Sequence, residues 1–351
     1  MNSRERWLAV LNHDVPDRIP TDIWAVPEVW AKLRSHFGEG VEVAEALHID
    51  TPAGVGAKYV GPPLPEMPDG EKTDFWGIRH KRIAYDTGEY YEMSHNPLAA
   101  AETLDDIEAY AWPEPDWFDT AEMPATAAQG RKTKVVSCGY MAPFTYHIYL
   151  RGLENALMDP LIRPEFTHHL LGRLAEFFHE HHRRMFAACE GLIDLAQVTD
   201  DYGMQTGPMM SMDTFRTFYG PHLKRFIDLT HAFGIRVFHH DDGAIRNFIP
   251  DLTAMGIDVL NPIQWRCAGM DRAELKRTFG DRLVFHGGVD NQHTLPFASA
   301  DEVRAEVREN IDILASDRTG YILAPCHNIQ ANTPIENIVA MYDEAHHYGR
   351  F

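Results

Sequence analysis

The chain of 351 residues carries 32 Lys+Arg against 52 Asp+Glu, a formal charge of −20, with 44% hydrophobic and 24% charged residues, the composition of a globular protein. So acidic a chain repels nucleic-acid phosphates and anionic headgroups, and no Lys/Arg cluster reverses that field locally, so neither nucleic acid nor membrane is expected as a partner. No signal-like core follows Met1, the most apolar uncharged stretch (135–150) is broken by Pro143 and His147, and Cys138, Cys189, Cys267 and Cys326 are scattered without a CxxC, which together point to the cytoplasm.

In chain order, strands are expected at 18–24 and 57–60, a hairpin where apolar and polar residues alternate near 78–93, and a strand at 134–139. Prolines are dense at 62–68 and 113–124, which read as ordered loops. The second half repeats a short apolar run followed by an amphipathic helix, the pattern of βα units, with strands at 191–198, 235–240, 256–262, 283–287 and 320–325. Between them Phe215, Phe218, Tyr219, Leu223, Phe226 and Ile227 recur at helical spacing behind Ser211 as cap. Ser299 and Glu302 form a capping box, and Thr333-Pro334-Ile335-Glu336 starts the last helix near Pro334. Eight strands with five regular βα repeats, and no Gly-rich phosphate loop, favour an α/β fold of the (β/α)8 TIM-like barrel kind over a doubly wound sheet. The whole chain, 1–351, is expected to be one barrel domain, with an irregular region of about 1–130 packed on it.

The active site of such a barrel lies at the C-terminal ends of its strands. Those ends carry Asp200, Asp201, Tyr202 and Gln205, then His240 and Asp242, then Asn261 and Gln264, then His286 and Asp290, and finally Cys326, His327 and Asn328. His240 and Asp242 are two apart, so on an extended segment both point the same way and can share one cation, with Cys326 as third ligand. Zn²⁺ accepts imidazole, carboxylate and thiolate, and three protein ligands leave a position open for substrate. The competing reading has His240 and Asp242 bonding only to one another and to loops, and Cys326 as a small buried residue. Asp200 and Asp201 suit a general base, and His286 suits either a proton donor or a packing role. Tyr202, Gln205, Asn261, Gln264, Asp290, His327 and Asn328 are the expected substrate contacts. His168, His169, His179, His181 and His182 fall on a charged helical stretch and read as solvated surface, while Met204, Met209, Met210 and Met212 read as pocket walls.

With these motifs in view the chain resembles the uroporphyrinogen decarboxylase-like superfamily, which includes cobalamin-linked methyltransferases. The resemblance runs nearly end to end. It is carried by Arg4-Glu5-Arg6 with Asn12-His13-Asp14-Val15-Pro16-Asp17-Arg18-Ile19-Pro20, by Asp200-Asp201-Tyr202-Gly203 with Gly207-Pro208, and by Phe215-Arg216 with Pro221 and Lys224. It continues through His240-Asp241-Asp242-Gly243, Asn261-Pro262-Ile263-Gln264, Gly287-Gly288-Val289-Asp290, and His327-Asn328-Ile329-Gln330 leading to Pro334-Ile335-Glu336-Asn337. It implies a (β/α)8 barrel with its cleft at the strand C-termini, and a homodimer.

Two departures mark this chain within the resemblance. Decarboxylases of uroporphyrinogen carry an N-terminal Arg-Gln-Ala-Gly-Arg-type motif whose arginines hold substrate carboxylates, where this chain reads Asp22-Ile23-Trp24-Ala25-Val26-Pro27. The methyltransferase branch binds Zn²⁺ through His-x-Cys and a distant Cys, where this chain reads His240-Asp241-Asp242, with Cys326 in competition with His327 for the distant position. The resemblance therefore implies a methyltransferase-like enzyme that moves a methyl group from a small O-, N- or S-methylated compound to a corrinoid on a partner protein, zinc acting as Lewis acid. Two alternatives stand beside it: a metal-independent lyase or decarboxylase of another small acid, using Asp200, Asp201 and His286, and a non-catalytic binding protein on the same barrel.

Overall fold

The computed structural model describes residues 1–67, 70–85 and 88–351. Seven parallel strands form its central sheet: β1 (Ala53–Val55), β2 (Val136–Met141), β3 (Leu195–Val198), β4 (Arg236–His240), β5 (Val259–Asn261), β6 (Val284–Val289) and β7 (Tyr321–Pro325), hydrogen-bonded in that order. Helices on the outside connect consecutive strands, among them Pro164–Ala188 between β2 and β3, Gly220–Ala232 between β3 and β4, and Ala300–Leu314 between β6 and β7. This is the α/β TIM-like fold that the βα repeats predict.

The eighth position of the ring is held by single bridges. Leu323 on β7 donates its N–H to the Pro20 carbonyl (3.0 Å) and accepts from Asp22 (2.9 Å), while Asp50, just ahead of β1, donates to the Thr21 carbonyl (2.8 Å). The expected strand at 18–24 is therefore the closing segment, paired in register Thr21 to Leu323. Beneath it, Asp50 accepts from Arg6 (2.7 Å), from Arg18 (2.8 Å) and from the Thr21 N–H (3.1 Å), tying the first helix, the closing segment and β1 together.

The expected strand at 57–60 does not join the barrel. Lys58–Tyr59 pairs with Phe118–Asp119 in a separate ribbon, and the barrel strand is the short, glycine-centred Ala53–Val55. The hairpin near 78–93 is present as Arg79–Tyr85 against Gly88–His95; residues 86–87, like Pro68 of the proline-dense loop, lie outside the described residues. The Ser299–Glu302 capping box and the Ser211 cap form as read, while the last helix, Ile335–Tyr348, has Pro334 at its N-cap and no side-chain cap from Thr333. Two histidines depart from expectation: His181 packs its ring against Phe118 and Phe177, burial pulling its pKa down to about 4. His182 is buried, with Nδ1 against the Phe178 carbonyl (2.7 Å) and Nε2 accepting from the Tyr140 N–H (3.1 Å), because its face of the long helix turns toward β2 rather than solvent.

The N-terminal helix Ser3–Leu11 buries Trp7, Val10 and Leu11 in one cluster with Val135, Leu195, Val259, Val284 and Ile322 at the strand beginnings. This apolar plug fills the bottom of the barrel and leaves the strand C-termini as the end where polar side chains gather.

Candidate active site

At the end of β4 the two-residue alternation of a strand separates the histidines. His239 turns outward, is fully buried, and bonds the Val198 carbonyl through Nδ1 (2.8 Å), burial pulling its pKa down to about 4. His240 turns into the barrel mouth, its Nδ1 bonded to Oδ1 of Asn261 at 2.5 Å. Its Nε2 stands 3.6 Å from Oδ1 of Asp201 and 3.9 Å from Oδ1 of Asp242, and Nε2 of His327 stands 3.6 Å from the other oxygen of Asp242. One ligand atom each from His240, Asp242 and His327 lies within 4.8 Å of the others.

None of these gaps is a hydrogen bond. A tetrahedral Zn²⁺ with bonds of about 2.0–2.1 Å holds its ligand atoms about 3.3–3.5 Å apart, so two imidazoles and a carboxylate at this spacing need only small side-chain rotations to enclose such an ion. Burial raises the pKa of Asp242, opposed by the nearby His240 and His327, and a bound cation would shift the balance to the carboxylate. Gln264 fixes that carboxylate from behind, donating Nε2 to Asp242 Oδ1 (3.0 Å) while its Oε1 accepts the Gly243 N–H (2.6 Å). The donor set and its support fit zinc.

Below the triad, Nδ2 of Asn261 meets Nδ1 of His286 (2.7 Å), and Nε2 of His286 meets Oδ2 of Asp22 (3.0 Å). Burial of Asp22 works to raise its pKa, yet the hydrogen bonds from His286, the Thr51 hydroxyl and the Ile23 N–H prevail and hold it below the usual carboxylate range. Trp24, two residues on, sets its ring 5.2 Å from His240 and 6.4 Å from His327, centroid to centroid. A cavity of about 210 Å³ is lined by Trp7, Asp22, Trp24, Ser137, Gln197 and Phe238 among others, between the apolar plug and the triad.

Comparison with known proteins sets this site in a family. The sequence model described as Uroporphyrinogen decarboxylase (URO-D) matches residues 84–348, well over half of the chain. The chain belongs to the URO-D family. Its fold is that of a methyltransferase from Methanosarcina mazei, 17% identical, with a TM-score of 0.68 over 99% of both chains. Xylanase 10B from Thermotoga maritima aligns over 67% of this chain and 82% of its own at 12% identity and a TM-score of 0.42. No curated protein matches.

In this URO-D chain the residues expected at the site divide into three groups. His240, Asp242, His327, Asp201, Asn261, Gln264 and His286 come together as described. Asp200 and Tyr202 do not reach the cleft. The Asp200 carboxylate is buried, accepting the N–H groups of Phe144 (2.9 Å) and Thr145 (2.7 Å) at the start of the helix Pro143–Arg151 and the Tyr202 hydroxyl (2.8 Å). Tyr202 is fully buried among Phe144, Phe215 and Phe248. Both help to hold the strand end in place.

Cys326 has partners of its own. Its N–H extends the ladder to the Val289 carbonyl (2.8 Å), its thiol donates to the Ile263 carbonyl (3.3 Å), burial raises its pKa, and it does not join the cluster of His240, Asp242 and His327. His327, the competing register, takes its place. Asp290 is held by Arg266 (2.5 Å) and by the N–H groups of Gln292 (2.9 Å) and Thr294 (3.2 Å), so it shapes a loop. Gln205 borders a space of about 10 Å³ with Gln264 and Cys267, and Asn328 offers its carbonyl to Gln330 (3.0 Å). Asp22 and Trp24 were not read as site residues, although i, i+2 alternation along the expected strand 18–24 turns both inward together.

Proposed function

We propose that this URO-D-family chain is a methyltransferase-like enzyme acting on a small O-, N- or S-methylated compound, with a corrinoid on a separate partner protein as methyl acceptor. The observation that carries the reading is the convergence of His240, Asp242 and His327 at the mouth of the barrel, without intervening hydrogen bonds. A zinc ion held there supplies Lewis acidity at the heteroatom that bears the methyl group. The chain's own residues do the rest. Trp24 and Phe238 offer an apolar seat for the methyl-bearing end, and Asp201, partly exposed and 3.6 Å from His240, orients the polar end of the donor. The cavity of about 210 Å³ beside Trp24 offers room for a small molecule. The buried indole N–H of Trp7 has no hydrogen-bond partner among the described residues and is available to a polar atom of the occupant. The similarity of fold to the Methanosarcina mazei methyltransferase supports the reading, which extends to a homodimer in the cytoplasm; among the described residues no helix is long and apolar enough to cross a membrane.

Zinc quantitation on the purified protein, followed by a screen of methylated alcohols, amines and thioethers with added cob(I)alamin, tests cofactor and reaction together. One zinc per chain and methylcobalamin formation are expected. Far less than one zinc per chain after supplementation overturns the metal reading and favours the second one, proton transfer by Asp201 and His240 in a metal-independent lyase, which the 3.6 Å approach of those two side chains supports.

A further inference from the structure

Four buried side chains from four parts of the sequence form one unbranched line of hydrogen bonds: Asp22, His286, Asn261 and His240. The polarity of such a line is set by whichever member has no choice of role, and here that member is Asp22. Its Oδ1 accepts from the Ile23 N–H (2.8 Å) and the Thr51 hydroxyl (2.6 Å), and its Oδ2 from the Trp24 indole N–H (3.2 Å) and from His286 Nε2 (3.0 Å). Two of these partners, a backbone amide and an indole, can only donate. With four donors around two oxygens the group accepts at every position.

The remaining roles follow in sequence. Nε2 of His286 donates to Asp22, and its Nδ1 faces the amide nitrogen of Asn261 and accepts. The amide of Asn261 must then give Nδ2 to His286, which leaves Oδ1 for His240. Nδ1 of His240 donates to that oxygen, and Nε2 is left with its lone pair pointed at Asp201 and Asp242. A lone pair facing two carboxylates is unfavourable until a cation lies between them. Metal-bound histidines commonly donate the second ring nitrogen to an oxygen, and loss of that support costs about ten- to a hundred-fold in metal affinity.

We propose that Asp22 is a positioning residue which, through His286 and Asn261, locks His240 in the Nδ1–H tautomer and so presents Nε2 as an unprotonated ligand. The proposal rests on His240 being a metal ligand, but the tautomer itself is a property of the metal-free protein. The aspartate that stands where uroporphyrinogen-converting relatives are expected to carry a substrate-binding arginine motif thereby takes on a different task, acting on the protein's own histidine rather than on substrate.

Long-range ¹H–¹⁵N NMR of histidine-labelled protein reads the tautomer directly, with the His240 signals assigned by their loss in His240→Gln. In the metal-free wild type, Nδ1 of His240 is expected to show the shift of a protonated ring nitrogen and Nε2 that of an unprotonated one. Asp22→Asn can present an amide N–H to His286, which reverses the line and moves the proton of His240 to Nε2; zinc affinity, measured by competition with a chelator, is expected to fall about ten- to a hundred-fold. Asn261→Asp supplies its own acceptor to His240, so in that background the Asp22→Asn change should leave the tautomer unaltered and cost less than threefold in affinity.

An Nε2–H tautomer in the metal-free wild type, or an equal loss of affinity from Asp22→Asn with and without Asn261→Asp, overturns the proposal, the latter because it is the signature of a residue that only holds the fold. Absence of zinc binding with the expected tautomer overturns the metal reading of the site and leaves the relay standing. Zinc binding with the opposite tautomer does the reverse.

Discussion

The hydroxyl of Tyr202 donates to Oδ2 of Asp200 across 2.8 Å, and both side chains are buried. The pair belongs to the wall that holds β3 against the helix Pro143–Arg151, not to the cleft. Tyr202→Phe keeps the ring among Phe144, Phe215 and Phe248 and removes one hydrogen bond, for a loss of about 1 kcal/mol of stability. Urea unfolding should show that loss while zinc affinity stays as in the wild type; a drop in zinc affinity would return Tyr202 to the site.

Asp200 gives the protein a pH dependence of stability with a definite sign. Burial lifts its carboxyl from an ordinary value of about 3.9 to about 7, against the pull of the Phe144 and Thr145 N–H groups and the Tyr202 hydroxyl. Between those values the unfolded chain has released the proton that the folded chain keeps, so this group's contribution is complete below about pH 4, declines as pH rises toward 7, and levels off above it. The slope is on the order of 1.4 kcal/mol per pH unit. From pH 5 to pH 8 the urea midpoint of the wild type should therefore fall further than that of Asp200→Asn, which has no proton to lose; parallel changes in the two proteins would refute the assignment.

His327 and Cys326 are neighbours with opposite expected behaviour toward zinc. His327→Ala removes a member of the triad and should weaken binding by at least about a hundredfold, while Cys326→Ala removes a thiol already committed to the Ile263 carbonyl and should leave one zinc per chain. Its cost is a small cavity, visible as a lowered Tm. Chelator competition on both variants decides between imidazole and thiolate as third ligand.

Asp50 is the acceptor on which the ring closure depends. Asp50→Ala leaves the buried guanidinium of Arg18 without its carboxylate and deprives Arg6 of one of two, which should cost about 3–5 kcal/mol. A change below about 1 kcal/mol in urea unfolding would mean that the closing segment is held by other contacts.

The five C-terminal βα units are legible in the sequence because each barrel strand there is buried on both faces and ends abruptly in polar residues. β1 is not, since Ala53-Gly54-Val55 is only three residues long with a glycine at its centre, while the neighbouring 57–60, which ends in Tyr59-Val60, forms an outlying ribbon instead. The pairing of His240 with Asp242 follows from spacing alone, whereas the choice between Cys326 and His327 depends on where the β7 ladder stops: Cys326 still donates to Val289, so its side chain is set by the strand, and the first residue free to turn to Asp242 is His327. Asp200 looked catalytic because carboxylates at barrel strand ends usually are; it is the helix start opposite, at Phe144 and Thr145, that claims it. The line from Asp22 to His240 joins positions that only the closed ring makes neighbours.

That closure has a consequence for how the protein comes into being. The segment that seals the barrel by pairing Thr21 with Leu323 is the same one that delivers Asp22 and Trp24 to the site. Contacts so distant in sequence form late, because the loop entropy between them must be overcome before they contribute anything. A nascent chain that has not yet released β7 and His327 from the ribosome thus lacks both the seal and the third ligand. On the zinc reading proposed above, a complete set of ligands therefore exists only once the last strand has been made.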